Sequence, residues 1–235
     1  MKPLRVILEA LLFFLAFFLP GYVAQSAPAP GNATTQAMLQ VIAIGLPQLL
    51  LMVYVAELAS GPPGAWGLAT FERRDYLRTF LVLLGSFAAV SPFIVLVFAL
   101  PPQLSRSLSA GYRWGLQSAS QIPVALLFGL TAGYREEFFF RSYLFGRLGQ
   151  IGVPLPLAVL CTTALFTAGH LYEGPLGIAI AATLGTLYSI VYIRRPSLHV
   201  IAIAHGLYNA IVLCLGLLVP RSLPAAAGFR IFIWN

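Results

Sequence analysis

Gly133-Tyr134-Arg135-Glu136-Glu137-Phe138-Phe139-Phe140-Arg141 sets four charges among aromatic and small residues, inside a segment from about 118 to 147 that is otherwise apolar. A charge at the centre of a bilayer costs roughly 2.5 to 3.5 kcal/mol on insertion scales, so a group of them needs a partner or a use. Two later apolar segments offer polar counterparts. One holds His170 in Leu165-Phe166-Thr167-Ala168-Gly169-His170, and the other holds His205 and Asn209 in Ala204-His205-Gly206-Leu207-Tyr208-Asn209. Together they point to a polar chamber inside a helix bundle.

The solvent follows from composition. Hydrophobic residues make up 59% of the 235 positions and charged residues 9%, against the roughly 25% charged expected of a soluble domain. The expected fold class is therefore all-α, a polytopic transmembrane bundle. The net charge of +7 raises nucleic acid as a partner, but the 14 basic residues are spread through short connections and form no basic face. They read as topology determinants, and nucleic-acid binding is excluded. Cys161 and Cys214 both lie in apolar runs, which leaves neither a disulfide framework nor a thiolate metal cluster.

About 20 apolar residues cross a hydrocarbon core. Dividing the chain at its charged and Pro/Gly-rich breaks gives about seven such segments: 4 to 24, 36 to 57, 79 to 100, 118 to 147, 154 to 172, 174 to 193 and 197 to 219. Gly61 to Arg78, with Pro62, Pro63, Trp66, Glu72, Arg73, Arg74 and Asp75, reads as a connector or short interfacial helix. There is no internal repeat, so residues 1–235 form one integral membrane domain, with 118–219 as its chemical core. The first segment has a rival reading. Lys2 and Arg5 precede an apolar run ending at Ala24-Gln25-Ser26-Ala27, the layout of a signal peptide, but Glu9 interrupts the run and Pro28 and Pro30 follow it, so an uncleaved helix is preferred.

Orientation follows from the basic residues outside the spans. Lys2, Arg5, Arg73, Arg74, Arg78, Arg147, Arg194 and Arg195 fall on one side, against Arg106, Arg113, Arg221 and Arg230 on the other. The amino terminus is expected in the cytoplasm, and the membrane is the plasma (inner) membrane in a prokaryote.

Within the fourth span, Glu137 and Arg141 are four residues apart, on one helix face where they can pair. Glu136 is rotated by about 100 degrees from its neighbour and has no obvious local partner, which makes it the better chemical candidate. Gly129 and Gly133, and likewise Gly177, Ala181 and Gly185, have the small-residue spacing that lets membrane helices approach closely. Phe166 and His170 share a face, as do His205 and Asn209. Either pair alone is equally well explained as polar contact between helices. His199, beside Arg194, Arg195 and Pro196, reads as interfacial, and Arg135 as snorkelling or paired.

These residues resemble the CPBP intramembrane proteases, a family that includes type II CAAX prenyl endopeptidases and bacterial proteins tied to bacteriocin immunity. Glu136-Glu137-Phe138-Phe139-Phe140-Arg141 is similar to the family's E-E-x-x-x-R, Phe166 to His170 to its F-x-x-x-H, and His205 to Asn209 to its H-x-x-x-N. Each motif is weak alone, whereas their order, spacing and membrane setting are jointly specific. The similarity covers about residues 125 to 215.

The resemblance implies an intramembrane endopeptidase acting on a membrane-anchored peptide or protein. Glu136 would be the general base, with His170 holding and activating the water. His205 and Asn209 would polarise the scissile carbonyl, each good donor contributing roughly 3 to 4 kcal/mol. Glu137 and Arg141 would support the helix and tune Glu136. Zinc held by Glu136, His170 and His205 is the alternative cofactor reading. It is less favoured, because the H-E-x-x-H helix of common zinc peptidases is missing and Asn209 suits an oxyanion better than a metal. A non-enzymatic chain, a proton-coupled transporter or an immunity-type binding partner, is the rival from another class. It lacks the repeated halves expected of a transporter. Substrate identity stays open among prenylated CAAX termini, leader peptides and sorting tags.

One difficulty accompanies a shared site. At about 1.5 Å per residue from the cytoplasmic ends, Glu136 lies roughly 16 Å deep, His205 roughly 12 Å and His170 roughly 24 Å. Tilt, or a broken segment around Glu173-Gly174-Pro175, would be needed to bring His170 level.

Overall fold

The computed structural model describes residues 3–25, 33–60, 66–68, 70–108 and 115–218, and among them only helices and turns occur. The helices are α1 (Pro3–Gln25), α2 (Ala33–Ser60), α3 (Arg73–Ala99), α4 (Pro102–Leu108), α5 (Ile122–Glu137), α6 (Leu144–Gln150), α7 (Leu155–Ala168), α8 (Gly174–Arg194) and α9 (Leu198–Leu215). A π-helical turn, Phe138–Tyr143, joins α5 to α6 into one rod. Four stretches, Thr35–Leu58, Arg73–Ala99, Leu171–Arg194 and Leu198–Leu218, are long and apolar enough to cross a membrane. With α1, the α5–α6 rod and α7 they make the all-α polytopic bundle of about seven segments. The outward faces of α2 and α3 carry exposed Leu46, Leu50, Leu81 and Val95, side chains suited to lipid.

Two boundaries differ from the sequence expectation, and one further helix lies between the expected segments. Arg73 to Arg78 are the opening turns of α3, because Glu72 and Asp75 form a capping box and Asp75 then accepts from Arg78 at 2.8 Å. Pro102 starts a short helix, α4, between the third and fourth segments. The fifth segment is only 14 residues of α-helix, ending at Ala168. Of the remaining expectations, Lys2, Ser26 and Ala27, Pro62 and Pro63, Arg113, Arg221 and Arg230 lie outside the described residues.

α5 and α9 pack closely against each other, and glycine sets their spacing. A β-carbon on Gly129 would strike the Gly206 carbonyl oxygen, and one on Gly133 would sit 2.5 Å from the Ala202 carbonyl oxygen. The small-residue reading of this pair therefore holds, and α9 turns Gly206 toward α5. Gly206→Val places branched carbons against the α5 backbone, whose nearest atoms would stand only 2.8–3.0 Å from the new β-carbon and cannot move aside. The expected loss is at least about 1–3 kcal/mol, read as a lower unfolding temperature in detergent, whereas Gly85→Val, with nothing within 4 Å, leaves it unchanged.

α1 is pinned to the core by aromatic packing and one polar tie. Phe18 packs on Phe139 and Phe140 at centroid distances of 5.3 and 5.0 Å. Glu9 accepts from Arg147 at 2.7 and 2.6 Å and also from the Tyr143 hydroxyl. The Glu9 that interrupts the first apolar run thus has a partner 138 residues away.

Candidate active site

Glu136 and Glu137 close α5, and the π turn follows at once. π turns recur where a helix must re-aim side chains for function. Here the wide turn buries Phe138, Phe139 and Phe140 completely and still lets Arg141 reach back one turn. Arg141 Nη1 donates to Glu137 Oε1 at 3.1 Å, with both side chains wholly buried, as their spacing predicts. The guanidinium also donates through Nη2 to the Gly185 carbonyl at 2.9 Å and lies 4.4 Å from the Phe166 ring centre. Gly185 is small because Phe166, Thr163 and Arg141 press on it.

Glu137 has a second partner that no local pattern foreshadows. His205 Nδ1 lies 2.7 Å from the same Oε1. Since that oxygen also accepts from Arg141, the carboxylate is the acceptor and His205 Nδ1 carries the hydrogen. His170 is fixed the same way: its Nδ1 lies 2.7 Å from the Phe166 carbonyl oxygen, which can only accept. Both rings therefore turn Nε2 inward. Each Nε2 is 3.9 Å from Glu136 Oε2.

Glu136, His170, His205 and Asn209 line one cavity of about 150 Å³. The depth difficulty disappears because α7 stops at Ala168 and the backbone then turns through Gly169 and the 3-10 segment Leu171–Glu173. Gly174 follows at φ +75, a left-handed conformation, and α8 starts there. Irregular backbone of this kind is tolerated in a membrane where it borders a protein cavity. Asn209 lies one turn beyond His205 on α9, partly buried, without a side-chain hydrogen bond among the described residues.

The expectation that Glu136 lacks a local partner is corrected. Arg135 Nη2 donates to Glu136 Oε1 at 3.4 Å, since a long side chain can fold back across the angle between adjacent positions. Arg135 also reaches Gln48 on α2 at 3.4 Å and stacks 5.1 Å from the Phe18 ring. It is paired, and it borders the cavity. His199 stays outside the cavity and hydrogen-bonds Tyr134 at 2.8 Å. Gly177 departs from its expected role, because the space beside it is filled by the side chain of Glu173 instead of a neighbouring helix.

Sequence reasoning passed over Tyr172, Glu173 and Tyr208, all of which border the cavity. For Glu173 a signal existed: a carboxylate three residues after His170, at the end of an apolar run. Among the described residues no group of three or more His, Cys, Asp or Glu side chains is arranged to hold a metal ion. The set Glu136, His170 and His205 has suitable donors, but both measured separations exceed the roughly 3.3 Å edge of a tetrahedral zinc shell with bonds near 2.0 Å, and Arg135 occupies one Glu136 oxygen.

Glu136, set between two inward-facing imidazoles, thus borders a cavity among the helices of the bundle. Residues 118–211, which hold all three motifs, match the family model described as type II CAAX prenyl endopeptidase Rce1-like, which supports the resemblance to CPBP intramembrane proteases and indicates a protease. Neither a curated protein nor a solved structure matches the chain.

Proposed function

We propose that this chain is an intramembrane endopeptidase that uses Glu136 as general base to hydrolyse a peptide bond of a membrane-anchored substrate. The observation that carries the reading is Glu136 Oε2 lying 3.9 Å from both His170 Nε2 and His205 Nε2 on the cavity wall. That gap accommodates a water about 2.8 Å from the carboxylate and from His170. With its Nδ1 hydrogen given to Phe166, His170 offers a lone pair at Nε2, so both neighbours accept from the water and leave its oxygen free to attack.

Glu136 takes the water proton as the oxygen adds to the scissile carbonyl, and passes it to the leaving amine as the carbon–nitrogen bond breaks. The oxyanion meets the Asn209 amide and His205 Nε2. For Nε2 to donate while Nδ1 donates to Glu137, the ring carries both protons, and the Glu137 carboxylate is the counter-charge for that imidazolium. Arg141 holds Glu137 in place. Once Glu136 holds the water proton, Arg135, Arg141 and the His205 imidazolium face the Glu137 carboxylate and the oxyanion, so positive charge is in excess where the oxyanion forms.

The reading is metal-free, and chelation tests it. Prolonged treatment of the reconstituted protein with a zinc chelator should leave cleavage within about twofold of its starting rate; a loss that added zinc restores would transfer the water-activating role to a metal. The substrate is found by comparing membrane fractions from cells with the native chain and with Glu136→Gln. New carboxyl termini that vanish in the variant identify cleaved proteins, and native-like behaviour of the variant with no difference in termini would favour a binding role. The excess of basic residues on one side favours a cytoplasmic amino terminus.

A further inference from the structure

The acids around the cavity are not equally matched. Glu136 has Arg135 and Glu137 has Arg141, but Glu173, on the same cavity wall, pairs with no cation among the described residues. Its carboxyl takes a hydrogen bond from the neighbouring Tyr172 hydroxyl and interacts electrostatically with His170, Glu136 and His205. The fold also makes room for it. A β-carbon at Gly177 would lie 2.8 Å from Glu173 Oε2 and would overlap the base of that side chain, so the glycine lets the acid fold back over the first turn of α8 and stay beside the cavity. An ionisable group held in a membrane chamber without an arginine or lysine partner is complementary to a cation that arrives from outside.

We infer that Glu173 is a specificity-determining residue, which selects substrates carrying a lysine, arginine or other cationic group next to the scissile bond. The inference rests on the endopeptidase reading above and names a property of its substrate. Like charge in the same place is disfavoured by the same field, strengthened by the low dielectric of the surrounding helices. The small cavity confines the effect to the residues flanking the cleaved bond.

The test uses the full chain in lipid nanodiscs and three sets of lipid-anchored peptides, identical except for Lys, Gln or Glu at one flanking position on either side of the bond. The native protein should prefer Lys to Glu by about 10- to 100-fold in kcat/KM at one of those positions, carried mainly by KM. Glu173→Gln should compress the ratio below about threefold, and Gly177→Ala, which displaces the carboxyl and changes no charge, should lower it as well. A second readout keeps the two readings apart: Kd for the same peptides on the Glu136→Gln variant, which lacks the base. A Lys preference in binding without any cleavage by the native chain would overturn the endopeptidase reading and retain the role of Glu173. Cleavage with Lys, Gln and Glu peptides inside threefold of one another, or a ratio that survives Glu173→Gln, overturns the inference.

Discussion

Glu136→Gln is expected to lower peptide cleavage by roughly 10⁴-fold, the upper end for a positioned acid–base group, because one side chain both removes the water proton and returns it to the amine. The substitution keeps the shape of the side chain and an oxygen for Arg135, so the helix pair and the cavity should persist. Unfolding temperature should therefore change little while turnover collapses. Single-turnover measurement on a membrane-anchored peptide separates the cases: a reduction smaller than tenfold would remove Glu136 from the role of base, whatever the fold does.

The second large effect concerns the buried pair behind the site. Arg141→Met leaves the Glu137 carboxylate without its arginine in a wholly buried setting, and breaking such a pair typically destabilises by about 3–5 kcal/mol. Replacing both partners by apolar side chains, Glu137→Leu with Arg141→Met, should recover most of that stability, since neither charge is then stranded. Activity should not recover. His205 Nδ1 loses the acceptor that fixes its ring, so oxyanion stabilisation is forfeited and cleavage stays down by roughly 10²-fold or more. Thermal unfolding and turnover measured on the two single variants and the double variant form the cycle. A double variant that regains both properties would show that Glu137 serves only the fold.

Much of this site is local in sequence, and that part is legible. Hydropathy reveals the helices, and a spacing of four residues puts Glu137 with Arg141, Phe166 with His170 and His205 with Asn209. What escapes the sequence is contact between distant segments. The Glu137 to His205 hydrogen bond joins positions 68 residues apart, and nothing around either residue announces it. The level of His170 depends on α7 stopping early and on the turn through Gly174, whereas depth counted along regular helices assumes neither. Gly177 matches a helix-packing pattern in sequence, yet the side chain that fills its space comes from its own chain four positions earlier. Glu173 was hidden for the related reason that it sits in a connecting turn, where an acid is ordinarily solvated.

The wide turn from Phe138 to Tyr143 has a consequence for how this protein can vary in length. An i to i+5 turn holds one residue more than an α-helix needs to cover the same rise. Deleting a single position there would let the rod relax into an unbroken α-helix while everything downstream keeps nearly its former direction. Arg147 would still meet Glu9, and the change would fall inside the turn, among the buried side chains around the deleted position. A single deletion should therefore disturb the far half of the rod much less in this six-residue stretch than in the regular helix on either side, where it would turn everything beyond it by about 100 degrees.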